Sequence, residues 1–122
     1  MQALLDRHQP EKVRVFTVWE PILLTDVVAP ISAVLRRMPD LRVQQFWDRG
    51  HAVSDRMKKD ARPPQPQQDC CERRGYLWDL AAVYPAGALW TDRLPTATIF
   101  NGSVVDVADQ LEAALQSTAR AQ

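Results

Sequence analysis

Two prolines set inside apolar runs constrain the folding of this chain more than any other feature: Pro30 in Val27-Val28-Ala29-Pro30-Ile31, and Pro95 in Leu94-Pro95-Thr96-Ala97-Thr98-Ile99-Phe100. Proline has no backbone N–H and a fixed φ, so it kinks or ends a helix and stays out of the middle of a sheet. The spacing around Pro30 reads as helix. Thr25 or Asp26 is placed to cap it, and Val28, Ile31, Val34 and Leu35 recur at helical spacing toward Met38, before Pro39-Asp40 stops the run. Arg36 and Arg37 fall in its last turn, where the helix dipole favours cations. Pro95 instead opens a run of β-formers that ends at Asn101-Gly102, a turn signal.

The remaining pattern supplies strands and helices in alternation. Lys12 to Val18 is rich in β-branched and aromatic residues and reads as the first strand; Leu41 to Trp47 reads as the second, closed by Asp48-Arg49-Gly50. His51 to Lys59 reads as a short helix with Val53 and Met57 on one face. After the strand that reaches Phe100, a short strand is expected over Ser103 to Val105, then a closing helix from about Val107 to Leu115 with Leu111 and Leu115 facing inward. Met1 to Pro10 is expected to fray. Between the second helix and Pro95, Ala61 to Asp69 is rich in proline and glutamine and reads as an extended or mobile loop. Tyr76 to Tyr84 is apolar enough to be buried, as an added strand or a short helix, and period alone leaves both open.

The two proline segments together resemble the thioredoxin family. Its active-site helix reads C-x-x-C-x-x-x-A-P-[IL], which Ala29-Pro30-Ile31 matches at the tail, and its cis-proline stretch reads [IV]-P-T, a β-run and an N-G turn, which Leu94-Pro95-Thr96 and Asn101-Gly102 match. A cis X-Pro bond is uncommon and deliberate where it occurs. The resemblance implies an α/β, thioredoxin-like fold: a central mixed β-sheet flanked by helices, in one domain over residues 1–122, with Asp60 to Arg93 as an insertion before the cis-proline strand. Counting back from Pro30 puts Ile22 and Thr25 where the family has its cysteines. The slot reads Ile22-Leu23-Leu24-Thr25, so dithiol exchange has no group there and enzyme activity of the usual kind is not expected.

A recognition groove can outlast a lost dithiol. In the family, the backbone just before the cis-proline pairs with an extended peptide by strand addition. The resemblance carries that groove to Trp19, Glu20, Thr25, Leu94 and Pro95, with the Arg93-Leu94 backbone as the pairing edge. Trp19, Trp78 and Trp90 offer aromatic lining, although Trp47 and Trp78 are expected in the core. The first functional expectation is a non-catalytic module that binds a protein or peptide, or a second copy of itself.

The alternative rests on Cys70-Cys71, the only cysteines. Adjacent residues hold their Cα atoms about 3.8 Å apart, short of the usual disulfide span of roughly 4.4–6.8 Å, so a bridge between them is expected to be strained and readily reduced. Such disulfides are the labile, regulatory kind. Two thiolates also suit soft metal ions, and Arg73 and Arg74 would favour the thiolate if they fold over it. Against this, cysteine also serves as a small hydrophobe, and without a C-x-x-C pair or a nearby histidine no complete metal site is encoded locally. No cofactor is expected.

Other chemistry is thinner. His51 follows a strand end, where open α/β sheets place functional loops, though a lone histidine at a helix start is more often a surface or capping group. His8 carries less weight. Glu20, Asp26, Asp48 and Asp79 fall near element ends, and two of them meeting in a cleft would serve acid–base work. Four glycines leave little material for a phosphate loop. Fifteen basic and fifteen acidic residues give no general pull toward nucleic acid or anionic membrane. The first residues lack the pattern of a secretory signal, so a cytoplasmic protein is the default. The apolar excess of Tyr76 to Trp90 fits a covered sheet edge or a homodimer contact.

Overall fold

The computed structural model describes residues 1–9, 12–61, 65, 66 and 70–120. Its elements, in chain order, are α1 (Gln2–Arg7), β1 (Val15–Trp19), α2 (Ser32–Leu35), β2 (Val43–Trp47), α3 (Ala52–Asp60), β3 (Glu72–Arg73), β4 (Tyr76–Leu77), β5 (Leu80–Val83), β6 (Ile99–Gly102) and α4 (Ala108–Arg120). The protein is mixed α/β. Its strands pair two by two: β1 with β2 in parallel, β3 with β4 antiparallel, and β5 with β6 antiparallel.

The core is built around β5 and β6, whose side chains alternate between two apolar clusters, as the period of a strand requires. Ala81, Val83 and Ile99 pack with Leu4, Val107, Leu111 and Leu115, so α1 and α4 cover one side. Leu80, Ala82 and Phe100 pack with Leu77, Leu94, Ala97 and Met57, so α3, β4 and the segment before β6 cover the other. Phe100 and Leu5 are only 1% exposed. Burying side chains of that size contributes roughly 1.5–3 kcal/mol each.

The N-terminal residues are therefore part of the fold, against the expectation that they fray. Leu4 and Leu5 are buried on α1, and the helix end is held from outside. Arg42 Nη2 donates to the Leu5 carbonyl at 2.8 Å while forming an ion pair at 2.6 Å with Asp40. His8, also buried, lies 3.2 Å from Glu112 on α4, and Arg7 donates to the same carboxylate at 2.6 Å. The carboxyls of Asp40 and Glu112 are both held down at about 2, chiefly by hydrogen bonds from Arg42 and Arg7 respectively.

The helix expected around Pro30 is reduced to one turn. α2 starts at Ser32, after Ile31 in extended backbone (φ −68°, ψ 158°). A residue before proline is pushed away from helical angles, and proline brings no donor, so Ala29-Pro30 ends extended chain and does not kink a helix. Thr25 and Asp26 do not cap it; the Asp26 carboxylate accepts from Leu23 N at 2.8 Å and closes a local turn. Val27, Val28 and Ile31 are exposed.

The expected central mixed sheet is likewise absent among the described residues: parallel and antiparallel pairing both occur, but no ladder joins β1–β2 to β5–β6. The donors before β6 are likewise turned away from β1. Pro95 has none, Ala97 N donates to the Gln65 side chain at 2.8 Å, and Thr98 N donates to Val83 O on β5 at 2.7 Å. Leu94–Pro95 is trans, the default for an X-Pro bond; among the described residues the cis peptide bond is Gly102–Ser103. One face of the β1–β2 pair stays open, with Phe16 and Phe46 exposed and their ring centroids 6.2 Å apart.

The segment expected to be an insertion holds three short strands. Tyr76–Leu77 and Leu80–Val83 form β4 and β5, which decides the strand-or-helix question. β3 and β4 form a hairpin closed by two residues, with Arg73 opposite Tyr76. Arg74 (φ 52°) and Gly75 (φ 84°) both adopt the positive φ of a type I′ turn. No strand forms over Ser103 to Val105; Ser103 Oγ donates to Asp106 at 2.7 Å and its carbonyl accepts from Val107 N, turning the chain into α4. Asn101-Gly102 is consequently the end of β6, paired with Ala81 and Leu80, and not a hairpin turn. In the proline- and glutamine-rich loop, residues 62–64 and 67–69 lie outside the described residues.

Candidate functional site

Three groups of chemistry-bearing side chains surround the β3–β4 hairpin. The first joins the C-terminal ends of the two parallel strands, where open α/β sheets place their sites. Glu20 follows β1 and His51 follows β2; His51 Nδ1 and Glu20 Oε2 are 3.0 Å apart, with both side chains nearly buried. His51 sits in left-handed backbone (φ 57°) as the N-cap residue of α3, a conformation histidine tolerates better than most residues. Its ring stacks on Tyr76 of β4, centroids 3.7 Å apart and planes within 12°. Below the stack, Ser54 Oγ accepts from Leu77 N at 2.7 Å.

Burial raises the Glu20 carboxyl above its ordinary range, opposed by its hydrogen bond to His51 and reinforced by the charge of Asp48. Asp48 in turn accepts from Val53 N at 2.7 Å and so caps α3 with its side chain. The arrangement ties β1, β2, α3 and the hairpin together through the His51–Glu20, Leu77–Ser54 and Val53–Asp48 hydrogen bonds and one ring stack. Of the four acids expected near element ends, Glu20 and Asp48 come within electrostatic reach of each other, while Asp26 closes its own turn and Asp79 turns toward Val104 N at 3.4 Å.

The second group is Cys70–Cys71, which form a disulfide across a Cα–Cα distance of 3.7 Å. Cys71 takes left-handed backbone (φ 84°), and so does Asp79 (φ 52°). Such conformations cost of order 1–3 kcal/mol in a residue with a side chain and tend to gather at functional sites. Between them the chain closes on itself, with Trp78 N donating to Cys71 O at 3.0 Å. The two residues differ in exposure: Cys71 is 8% exposed, whereas Cys70 is half-buried. The expected cover of arginines over the thiols is not what forms. Arg73 lies over the Trp78 ring, 5.2 Å from its centroid, and Arg74 is spent on the turn. Trp78 is exposed and not in the core as expected.

The third group is the segment at Pro95. The Gln65 side chain donates to Pro95 O at 2.8 Å and accepts from Ala97 N at 2.8 Å. Leu94 N donates to Asp60 at 2.9 Å, which lowers the Asp60 carboxyl below its usual range, with Arg56 adding to the effect. Trp19, Thr25 and Trp90, expected beside this segment, belong to different elements. Trp19 Nε1 donates to Gln45 on β2 at 3.0 Å, Thr25 is exposed after β1, and Trp90 is exposed in the connection to Leu94.

Sequence reasoning weighed His51 and Glu20 singly and missed that they meet; both follow predicted strands, and that shared position was the available signal. Gln65 gave none, being one glutamine in a polar loop. Among the described residues, no group of three or more His, Cys, Asp or Glu is arranged to hold a metal ion, and no helix is long and apolar enough to cross a membrane. No family model, curated protein or solved structure matches this chain.

Proposed function

We propose that this protein is a thioredoxin-like thiol–disulfide protein whose working group is the vicinal pair Cys70–Cys71, carried by the insertion instead of the active-site helix. The fold half of the reading is supported by element order: a parallel β1-α2-β2 unit, α3, an antiparallel β5–β6 pair and a closing helix. The observation that carries the functional half is the asymmetry of the disulfide, with Cys70 facing solvent in part and Cys71 buried.

That asymmetry gives the exchange a direction. A thiolate from a low-molecular-weight thiol attacks Cys70 Sγ, the S–S bond breaks, and Cys71 leaves as a thiolate that takes a proton from water. A second thiolate attacks the reagent's sulfur in the mixed disulfide, releasing Cys70. The protein gains two electrons and two protons, and the reagent leaves as its own disulfide. Titrating the native protein with a thiol reagent tests this: labelling that requires prior reduction and then reaches Cys70 faster than Cys71 supports it, while thiols that react only after unfolding contradict it.

A second reading, the peptide-binding module, keeps one specific support. Pro95 O and Ala97 N present an acceptor and a donor to the same partner, as a strand edge does, and Gln65 occupies both. A peptide strand that binds there replaces Gln65. Gln65→Ala is expected to strengthen binding of an extended peptide if that edge is the recognition site, and to leave it unchanged if it is not.

A further inference from the structure

We infer that Gly102 is the positioning residue of the vicinal disulfide, and that its missing side chain sets the balance between the disulfide and the dithiol. The inference rests on the thiol–disulfide reading above. Gly102 ends β6 opposite Leu80, and a Cβ built on it meets Cys71 Sγ at 2.6 Å, Cys70 Sγ at 3.2 Å, and the Asp79 carbonyl oxygen more closely still. Both sulfurs thus lie beside the one position of β6 that carries no side chain. The other glycines have nothing comparable: Gly50, Gly75 and Gly87 have open space where a Cβ would stand. Gly102 has no positive φ to explain it either, so close approach, of the Asp79 backbone and of the two sulfurs together, is what requires glycine there.

Disulfide and dithiol fill this seat differently. In the disulfide the two sulfurs move as one unit, fixed to adjacent residues, and Cys71 is held by the Trp78 N to Cys71 O bond and its contact with Asp79 O at 3.8 Å. In the dithiol each side chain turns about its own Cα–Cβ bond, and Cys70, on the open side, can swing toward solvent. The Asp79 carbonyl oxygen opposes a methyl group at position 102 in both states, whereas the sulfurs oppose it fully only as a bonded pair, so the methyl group hinders the disulfide more than the dithiol. Reduction is the exchange already described, two electrons and two protons supplied by two equivalents of a small thiol such as glutathione.

The test is the oxidised fraction of the full-length protein and of Gly102→Ala, equilibrated across ratios of reduced to oxidised glutathione, acid-quenched, alkylated and weighed. The variant is expected to favour the dithiol about tenfold more than the parent, a shift of roughly 30 mV for a two-electron couple. Superposed curves, or a shift toward the disulfide, overturn the inference. If Gly102→Ala does not fold when oxidised, urea midpoints in the Cys70→Ser, Cys71→Ser background decide: there only the Asp79 carbonyl oxygen opposes the methyl group, so the substitution is expected to lower the midpoint less than in the disulfide-bonded parent, and an equal or larger loss marks Gly102 as a general packing residue and overturns the inference. A parent protein whose pair cannot be reduced in the folded state sinks the thiol–disulfide reading itself, an outcome separate from either result with the variant.

Discussion

His51 and Glu20, 31 positions apart in the chain, meet at 3.0 Å where the two parallel strands end, and Tyr76 of the β3–β4 hairpin stacks on the imidazole. One histidine thus joins the β1-α2-β2 unit to the hairpin that follows the cysteines. Removing it leaves a nearly buried carboxylate without its main partner. His51→Ala is expected to cost about 2 kcal/mol of stability, the range for orphaning a buried polar group, and to speed amide exchange across residues 72–78. Glu20→Gln keeps a hydrogen-bond acceptor for the ring and is expected to cost less. Urea unfolding of both variants, with hydrogen exchange on the first, checks this.

The acidic groups respond to pH in opposite senses. Asp40 and Glu112 sit at about 2 in the folded protein, below the usual carboxylate range of about 4. The unfolded chain therefore binds protons first as pH falls, so their contribution is full above about pH 5 and is lost toward pH 2. Glu20 is raised, so its folded form holds the proton more tightly; it favours folding below the ordinary range and loses that contribution as pH climbs through the raised value. Urea midpoints between pH 2 and 7 are expected to fall on the acid side, with a shallower fall in Asp40→Asn and Glu112→Gln and a steeper one in Glu20→Gln.

The hairpin turn is not at its best residue. Arg74 occupies a positive φ of 52° beside Gly75 in a two-residue loop, where asparagine is preferred. Arg74→Asn is expected to stabilise the protein by about 0.5 kcal/mol, read as a higher urea midpoint with unchanged slope. A loss of stability would mean that Arg74 makes a contact that outweighs the turn.

How much of this was legible in the sequence depends on whether a residue's neighbours in the chain decide its place. β1, β2 and α3 were read within two or three residues, and the closing helix begins as read but runs five residues further, because their apolar residues recur at the period of the element they form. The Pro30 helix was over-read: helical spacing of Val28 and Ile31 outweighed the effect of proline on Ala29, and those apolar residues are exposed. α1 was missed because its stability comes from outside, from Arg42 and from the cluster with Val107 and Leu111. The type I′ turn was hidden by the arginine in it. The meeting of Glu20 with His51 was signalled only by their shared place after two predicted strands, and that of Gly102 with the disulfide depends on long-range register that no local pattern encodes.

The docking of α1 makes a further prediction. Leu5 is 1% exposed, and Leu5→Ala is expected to cost about 3 kcal/mol, within the span of roughly 2–5 kcal/mol for emptying a core leucine site. A frayed terminus predicts no change. Thermal unfolding separates the two.

The most direct test of the working disulfide uses single-cysteine variants in the native protein. Cys71→Ser keeps the half-buried Cys70 and Cys70→Ser keeps the buried Cys71, and each is exposed to oxidised glutathione while mixed disulfide is followed by intact mass. The expected result is rapid glutathionylation of Cys70 with Cys71 at least tenfold slower, about the ratio that roughly 1.4 kcal/mol of added barrier gives. Equal rates, or two thiols that react only in denaturant, would contradict the account.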